Sequence, residues 1–261
     1  MIPSHLLVLN AVCQPTYATQ ESHESMRHYL LLLSALLASN VQAAEWDHIH
    51  LTVPDTPKAV AWYVHYFGGT SMKSGPFDAI WFGPNLMKFR SGADTAGSAG
   101  SPVNHVGFAV DDVAKTLSQM ESEGVKIVRP LREIGDVTVA HVEDPWGTLI
   151  ELIDDGSPPG FHHVHLLTPT PEQTLDWYAD IFGGKVGHYR NLEQVWEINY
   201  GTMRLRATQA EDVPPFPGRA VDHLGWHMKN WNETIAKLKE KSTVFQLEPR
   251  MSAGHMMAFI E

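Results

Sequence analysis

The chain is poor in cysteine, in positive charge and in long apolar runs. Cys13 is its single cysteine, which excludes an internal disulfide framework and a cysteine-built metal site. Nineteen Lys and Arg stand against thirty Asp and Glu, a formal net charge of -11. A nucleic-acid or anionic-membrane surface needs basic patches, so neither partner is expected. The most apolar stretch, from Tyr29 to Ala38, is too short to span a bilayer comfortably. What remains is a globular composition over 261 residues, 43% hydrophobic and 19% charged, enough for one large core or two ordinary ones. Histidine is plentiful: fifteen are present and several are clustered.

Arg27 and His28 precede the apolar stretch, and Val41-Gln42-Ala43 offers the small residues that a signal peptidase reads. A leader over 26–43, cleaved near Ala43, is therefore expected. The destination is the periplasm or the exterior, with no membrane association after cleavage. Residues 1–25 fit poorly in front of such a leader. They read as an extension foreign to the mature protein, whose start would be Met26.

Internal repetition is the strongest organising signal. His48-Ile49-His50-Leu51 recurs as His163-Val164-His165-Leu166, and at the same offset Trp62-Tyr63 recurs as Trp177-Tyr178 and Phe67-Gly68-Gly69 as Phe182-Gly183-Gly184. A second pair matches Val103-Asn104-His105-Val106-Gly107 with Val221-Asp222-His223-Leu224-Gly225. Each copy reads as a strand, a helix and further strands. Residues 47–53 alternate as a strand does, and a helix then opens near Pro54 and Pro57 and stops at Gly68-Gly69. In the second copy a strand over 105–110 leads into a helix opened by Asp111-Asp112 and stopped by Gly124, with strands near 125–128, 137–142 and 148–153. The linkers 92–102 and 155–160 are rich in Gly, Ser, Ala and Pro. Four modules result, two in each of the domains 45–155 and 160–261. By the same offsets, the closing strand of the fourth module would fall beyond Glu261.

A strand-borne His, a Trp-Tyr helix running into Phe-Gly-Gly, and the closing run Asp144-Pro145-Trp146-Gly147-Thr148-Leu149-Ile150-Glu151-Leu152 together resemble the vicinal-oxygen-chelate superfamily, which holds glyoxalases, bleomycin-resistance proteins and extradiol dioxygenases. The resemblance implies an α+β fold of four βαβββ modules, paired into two incomplete barrels. It also implies a divalent metal held by first-strand histidines and a last-strand glutamate. Carried over by position, these are His48, His105 and Glu151, with His163 replacing His48 if modules pair across the two halves. Lys88, and Arg204 in the third module, stand where glyoxalase I has a further Glu. That leaves two histidines and one carboxylate, a set that suits Fe(II) or Mn(II) first and also Zn(II) or Ni(II).

His50 lies two residues from His48 and shares its strand face; it is an acid–base candidate, as is His141, which stands where the extradiol signature has Tyr. The implied function is an exported metalloenzyme acting on a small oxygen-chelating substrate, with lyase or ring-cleaving dioxygenase chemistry both open. The alternative is a metal-free binding protein of the bleomycin-resistance type. Partners reduce to the small-molecule substrate and, at most, a second copy in a homodimer.

Overall fold

Alternating apolar residues become strands along most of the described chain, and four short helices interrupt them, two of them capped by an Asp side chain. A computed structural model describes residues 7–12, 44–93, 95–252 and 254–261. The elements are β1 (Leu7–Val12); β2 (Ala44–Val53), α1 (Thr56–Phe67), β3 (Thr70–Ser74), β4 (Phe77–Phe82) and β5 (Asn85–Ser91); β6 (Val103–Ala109), α2 (Val113–Ser122), β7 (Lys126–Ile134), β8 (Val137–Glu143) and β9 (Leu149–Asp154). The second half follows with β10 (Gly160–Thr168), α3 (Pro171–Phe182), β11 (Val186–Tyr189), β12 (Leu192–Asn199) and β13 (Arg204–Gln209); then β14 (Val221–Met228), α4 (Trp231–Glu240), β15 (Phe245–Ser252) and β16 (His255–Ile260). The leader expected over 26–43 lies outside the described residues. Among those described, no helix is long and apolar enough to cross a membrane.

Local chemistry explains the helix ends. Asp55 accepts a hydrogen bond from the Lys58 backbone N–H, satisfying one orphan donor of α1, and Pro57 sits in the first turn. Gly68, at φ 70°, ends that helix in a conformation that side chains disfavour. Asp112 caps α2 in the same way through Lys115.

The strands form two eight-stranded sheets. The first runs β15-β16-β1-β14-β2-β5-β4-β3 and the second β11-β12-β13-β10-β6-β9-β8-β7. In three modules the opening and closing strands are parallel neighbours, β2 with β5, β6 with β9 and β10 with β13. The opening strands then pair antiparallel, β2 with β14 and β6 with β10. Module one therefore shares a sheet with module four, and module two with module three. Of the two pairings that the sequence leaves open, the strands follow the crossed one. The stretches 45–155 and 160–261 each contribute one module to each sheet.

The fourth module is completed from elsewhere. β1 lies parallel to β14 and antiparallel to β16, as β9 lies parallel to β6 and antiparallel to β8. It takes the place of the closing strand that the repeat offsets put beyond Glu261, and it comes from within the stretch 1–25 that reads as foreign in the sequence. The physical reason is burial: Leu7, Leu9 and Ala11 alternate into the core, at 2%, 0% and 6% exposure, where an unpaired gap between β14 and β16 would leave backbone groups unsatisfied.

One core joins the two sheets. Phe67 of α1 stacks on Phe108 of β6 with ring centroids 4.0 Å apart, and Phe182 of α3 stacks on Trp226 of β14 at 4.5 Å. Each of these helices therefore packs its end aromatic against a strand of the other sheet. Such offset aromatic pairs contribute about 0.5–1.5 kcal/mol beyond the area they bury.

Candidate metal centre

Strand register gathers a cluster of ionisable groups on the second sheet. Across β6 and β10, His163 faces Gly107 and His165 faces His105. On the other side of β6, Glu151 of β9 faces Gly107, and His141 of β8 faces Glu151. Gly107 makes the gathering possible, since a Cβ there would lie 2.1 Å from the His163 ring. The turn before β9 aims Glu151. Buried Asp144 accepts from the backbone N–H groups of Trp146 and Thr148 at 2.9 and 2.7 Å and from the Tyr63 hydroxyl at 2.7 Å, and Gly147 adopts φ 91° beside the Gly97 backbone. This is the physical content of the Asp-Pro-x-Gly run: it locks the strand that carries the carboxylate.

The reactive atoms converge. His105 Nε2 lies 3.3 Å from His163 Nε2. Glu151 lies 3.5 Å from His163 Nε2, 3.9 Å from His105 Nε2 and 3.3 Å from His141 Nε2. Ligands about 2.1 Å from one shared ion sit roughly 3.0–3.4 Å apart; the two histidines meet that spacing, whereas Glu151 reaches them through different oxygens, Oε1 toward His163 and Oε2 toward His105 and His141. His105, His141 and Glu151 bring one ligand atom each within 4.8 Å of one another, as do His105, His163 and His165.

The tautomers agree with that fit. Asn104 Oδ1 accepts from His105 Nδ1 at 2.8 Å, which leaves Nε2 as a bare lone pair. His162 Nε2 faces Asp155 at 3.4 Å and Ser157 at 3.2 Å, so its Nδ1 is free to accept from His163 Nδ1 at 2.8 Å. His163 Nε2 is then a lone pair as well. Outer groups that hold the far nitrogen of a histidine are what orient metal ligands. His162 and Asp155 are not among the residues that the sequence motifs single out. A readable signal exists: the residue before each opening histidine is Asp47, Asn104, His162 or Asp222, and each of the four bonds its neighbour's Nδ1.

Burial dominates the electrostatics. It pushes the Glu151 carboxyl up to about 7, against the pull of Arg206. His105 and His163 are held well below the usual imidazole range by burial first, then by the neighbouring His165 and His141 rings for His105 and by Arg206 for His163. Burial, then nearby arginines, puts His141 at about 4 and His165 at about 3. All four rings are therefore neutral at neutral pH, the state in which imidazole binds metal. His165 stacks on His105 at 4.4 Å and places Nε2 3.0 Å from the Thr208 hydroxyl.

The residue facing His165 is Arg206, as Glu151 faces Gly107. The cation at the fourth-ligand position of the third module is thus Arg206, two residues beyond the expected Arg204. Arg206 is 2% exposed, donates from Nε to Glu197 at 2.8 Å and lies 3.4 Å above the Tyr189 ring. Its Nη2 has no hydrogen-bond partner and faces Asp155 at 3.9 Å.

His48 and His50 are placed elsewhere. On the first sheet His50 faces His223 and His48 faces Gly225, so His48 does not join His105 and Glu151, and His163 stands in its place. The reason is the crossed pairing, which puts β2 beside β14 and not beside β6. Lys88 faces His50 in the register that Glu151 occupies on β9, as expected from the sequence. Burial lowers the pKa of His48 to about 4 and of His50 to about 2, and it lowers His223 against the opposing pull of Asp222.

Comparison with known proteins bears on this architecture. The family model described as Glyoxalase/Bleomycin resistance protein/Dioxygenase superfamily matches residues 46–152 and 160–261. A curated relative named Glyoxalase I, from Saccharomyces cerevisiae, is 24% identical over 194 residues, 57% of this chain and 60% of that protein. Another, named Probable lactoylglutathione lyase, chloroplastic, from Arabidopsis thaliana, is 33% identical over 87 residues, 32% of this chain and 25% of that protein. The chain thus spans less than two thirds of either relative. Among solved structures, glyoxalase I from Zea mays superposes with a TM-score of 0.67 at 20% identity, covering 81% of this chain and 85% of that one. At that identity the likeness concerns the fold.

Proposed function

Since the chain belongs to the glyoxalase, bleomycin-resistance and dioxygenase superfamily, we propose that it is a divalent-metal enzyme whose ion is held by His105, His163 and Glu151. The observation that carries this reading is the convergence of two lone-pair Nε2 atoms and one carboxylate within 3.3–3.9 Å. When bound, the metal would supply Lewis-acid stabilisation to two adjacent oxygens of a small substrate. Fe(II) and Mn(II) suit two imidazoles and one carboxylate, as do Zn(II) and Ni(II).

The remaining residues have separable tasks. His141 and His165 are the proton-moving candidates beside this centre, a role that His50 loses by its position on the other sheet. Arg206 supplies a buried positive charge beside this centre, suited to an anionic oxygen of the substrate. The names of the curated relatives, Glyoxalase I and Probable lactoylglutathione lyase, favour lyase chemistry, for which adducts of α-keto aldehydes with thiols are the substrates to try. A second reading, ring-cleaving dioxygenation, is favoured by the three-ligand set, in which Arg206 stands where a fourth carboxylate would be. Metal analysis of wild type beside Glu151→Ala tests the centre, and lack of a stoichiometric divalent metal in wild type would sink the enzyme reading in favour of a binding protein. Adduct isomerisation and oxygen uptake with catechols, run side by side, separate the two chemistries.

Export is the localisation that the apolar stretch Tyr29 to Ala38 supports. Cleavage near Ala43 would separate β1 from the rest of the chain, so N-terminal sequencing of protein recovered from the periplasm or medium tests it.

A further inference from the structure

Arg204 has no place in the chemistry so far, since the register gives the fourth-ligand position to Arg206. It lines a cavity of about 440 Å³ between modules one and three, beside the start of β10. We infer that this cavity binds a small carboxylate with a flat apolar body, the carboxylate held by Arg204 and the body lying against Phe67, Phe82 and Phe161. The site uses none of the three ligands of the metal centre and goes beyond the reaction proposed there.

The strand itself does not call for a cation at this position. Two residues before Lys88 stands Leu86, and two before Glu151 stands Leu149, whereas two before Arg206 stands Arg204. Leu86 pairs with His48 on the first sheet in the register in which Arg204 pairs with His163 on the second. The fold therefore accepts an apolar side chain here, and the guanidinium is not a requirement of packing.

Its surroundings leave that charge unmatched. Arg204 is half-buried, and its one hydrogen bond runs from Nη2 to Ser157 Oγ at a long 3.4 Å. Among the described residues it makes no ion pair, because the nearby acids are committed elsewhere. Asp155 accepts from the Tyr189 hydroxyl at 2.6 Å and from the Ser157 N–H at 3.0 Å, and Glu197 accepts from Arg206 at 2.8 Å. No Asp or Glu lines the cavity, and no other Lys or Arg does. A guanidinium presents its N–H donors as a planar fork, which two oxygens of one carboxylate match.

The other walls select the rest of the ligand. Phe82 and Phe161 are buried and Phe67 half-buried, and Pro158 and Pro159 add apolar surface without an N–H. A bare phosphate or sulfate would bring more charge than one guanidinium balances and would leave these walls uncovered. The walls are also set before any ligand arrives. Buried Asn85 donates to the backbone carbonyls of Phe161 and Thr202 at 3.3 and 3.1 Å and accepts from the Thr202 hydroxyl at 3.2 Å. It thereby ties the turn between β4 and β5 to both segments of module three, and a pre-formed site loses little ordering entropy on binding.

The test is calorimetric titration of benzoate into the full chain, as purified and again after chelator treatment. Both forms should bind one equivalent with the same Kd, of about 1 mM or below. Benzamide, which lacks the charge, and acetate, which lacks the ring, should each bind at least about tenfold more weakly. Arg204→Leu, which installs the residue type of the other modules, should weaken benzoate by about tenfold or more. Its melting temperature without ligand should stay as in wild type. If Arg204→Leu fails to fold, Arg204→Gln carries the same expectation, with thermal melts as the check on folding. A folded Arg204 variant that binds benzoate as wild type does would overturn the proposal, as would benzamide binding as tightly as benzoate. Binding that disappears with chelation would put benzoate at the metal centre and overturn it equally, and so would a wild type that binds none.

Discussion

Replacing Glu151 by Gln should stabilise the metal-free protein while removing its carboxylate ligand. Burial moves this carboxyl from 4.5 to about 7, and the sign of the linkage follows. The unfolded chain gives up the proton first, so above pH 4.5 the folded state holds more protons and stability falls as pH rises. The loss is complete once the pH passes 7. A displacement of that size corresponds to about 3 kcal/mol at pH 8, an upper bound, because the site can relax and admit water. Gln mimics the protonated form and does not titrate. The buried histidines titrate in both proteins, so the difference between the two isolates Glu151. Urea denaturation of stripped wild type and Glu151→Gln, at pH 4.5 and at pH 8, measures it. The two should agree at the lower pH, and the variant should be more stable by up to about 3 kcal/mol at the higher. Zinc should then reverse the order, because it stabilises the protein that binds it. A variant less stable than wild type at pH 8 without metal would refute the burial argument.

Gly107→Ala places a Cβ 2.1 Å from the His163 ring; it should cost about 1–3 kcal/mol by overpacking and displace a ligand, so metal content and melting temperature should fall together. In the uncleaved chain, Leu9→Ala, in the strand that completes the fourth module, should cost about 2–5 kcal/mol because Leu9 is fully buried; an unchanged denaturation midpoint of that uncleaved chain would show that β1 does not complete the first sheet. Tyr63→Phe removes one of the bonds to buried Asp144 and should cost about 1–3 kcal/mol in thermal or urea unfolding, with metal affinity weakened through the turn that aims Glu151.

Local pattern makes much of this legible in the sequence. The strand histidines, the Trp-Tyr helices, the helix opening at Asp112 and the Asp144 turn depend on neighbours in the chain, and they stand where alternation and capping chemistry put them. What sequence does not decide is tertiary. Whether β6 lies beside β2 or β10 is a choice of sheet partner, and it decides whether His105 meets His48 or His163. The two-residue difference between Arg204 and Arg206 has the same origin, since motif matching ignores the register that pairs Arg206 with His165. β1 escapes notice in the sequence because residues 1–25 fit poorly before a leader. Its Leu7-Leu9-Ala11 alternation is too short to announce a strand until the gap between β14 and β16 is seen.

The most direct measurement is an anomalous-scattering map from crystals of the zinc-loaded protein. A peak about 2.1 Å from His105 Nε2, from His163 Nε2 and from a Glu151 carboxylate oxygen is the expected result. A fully loaded crystal with no peak among those three side chains would contradict the assignment.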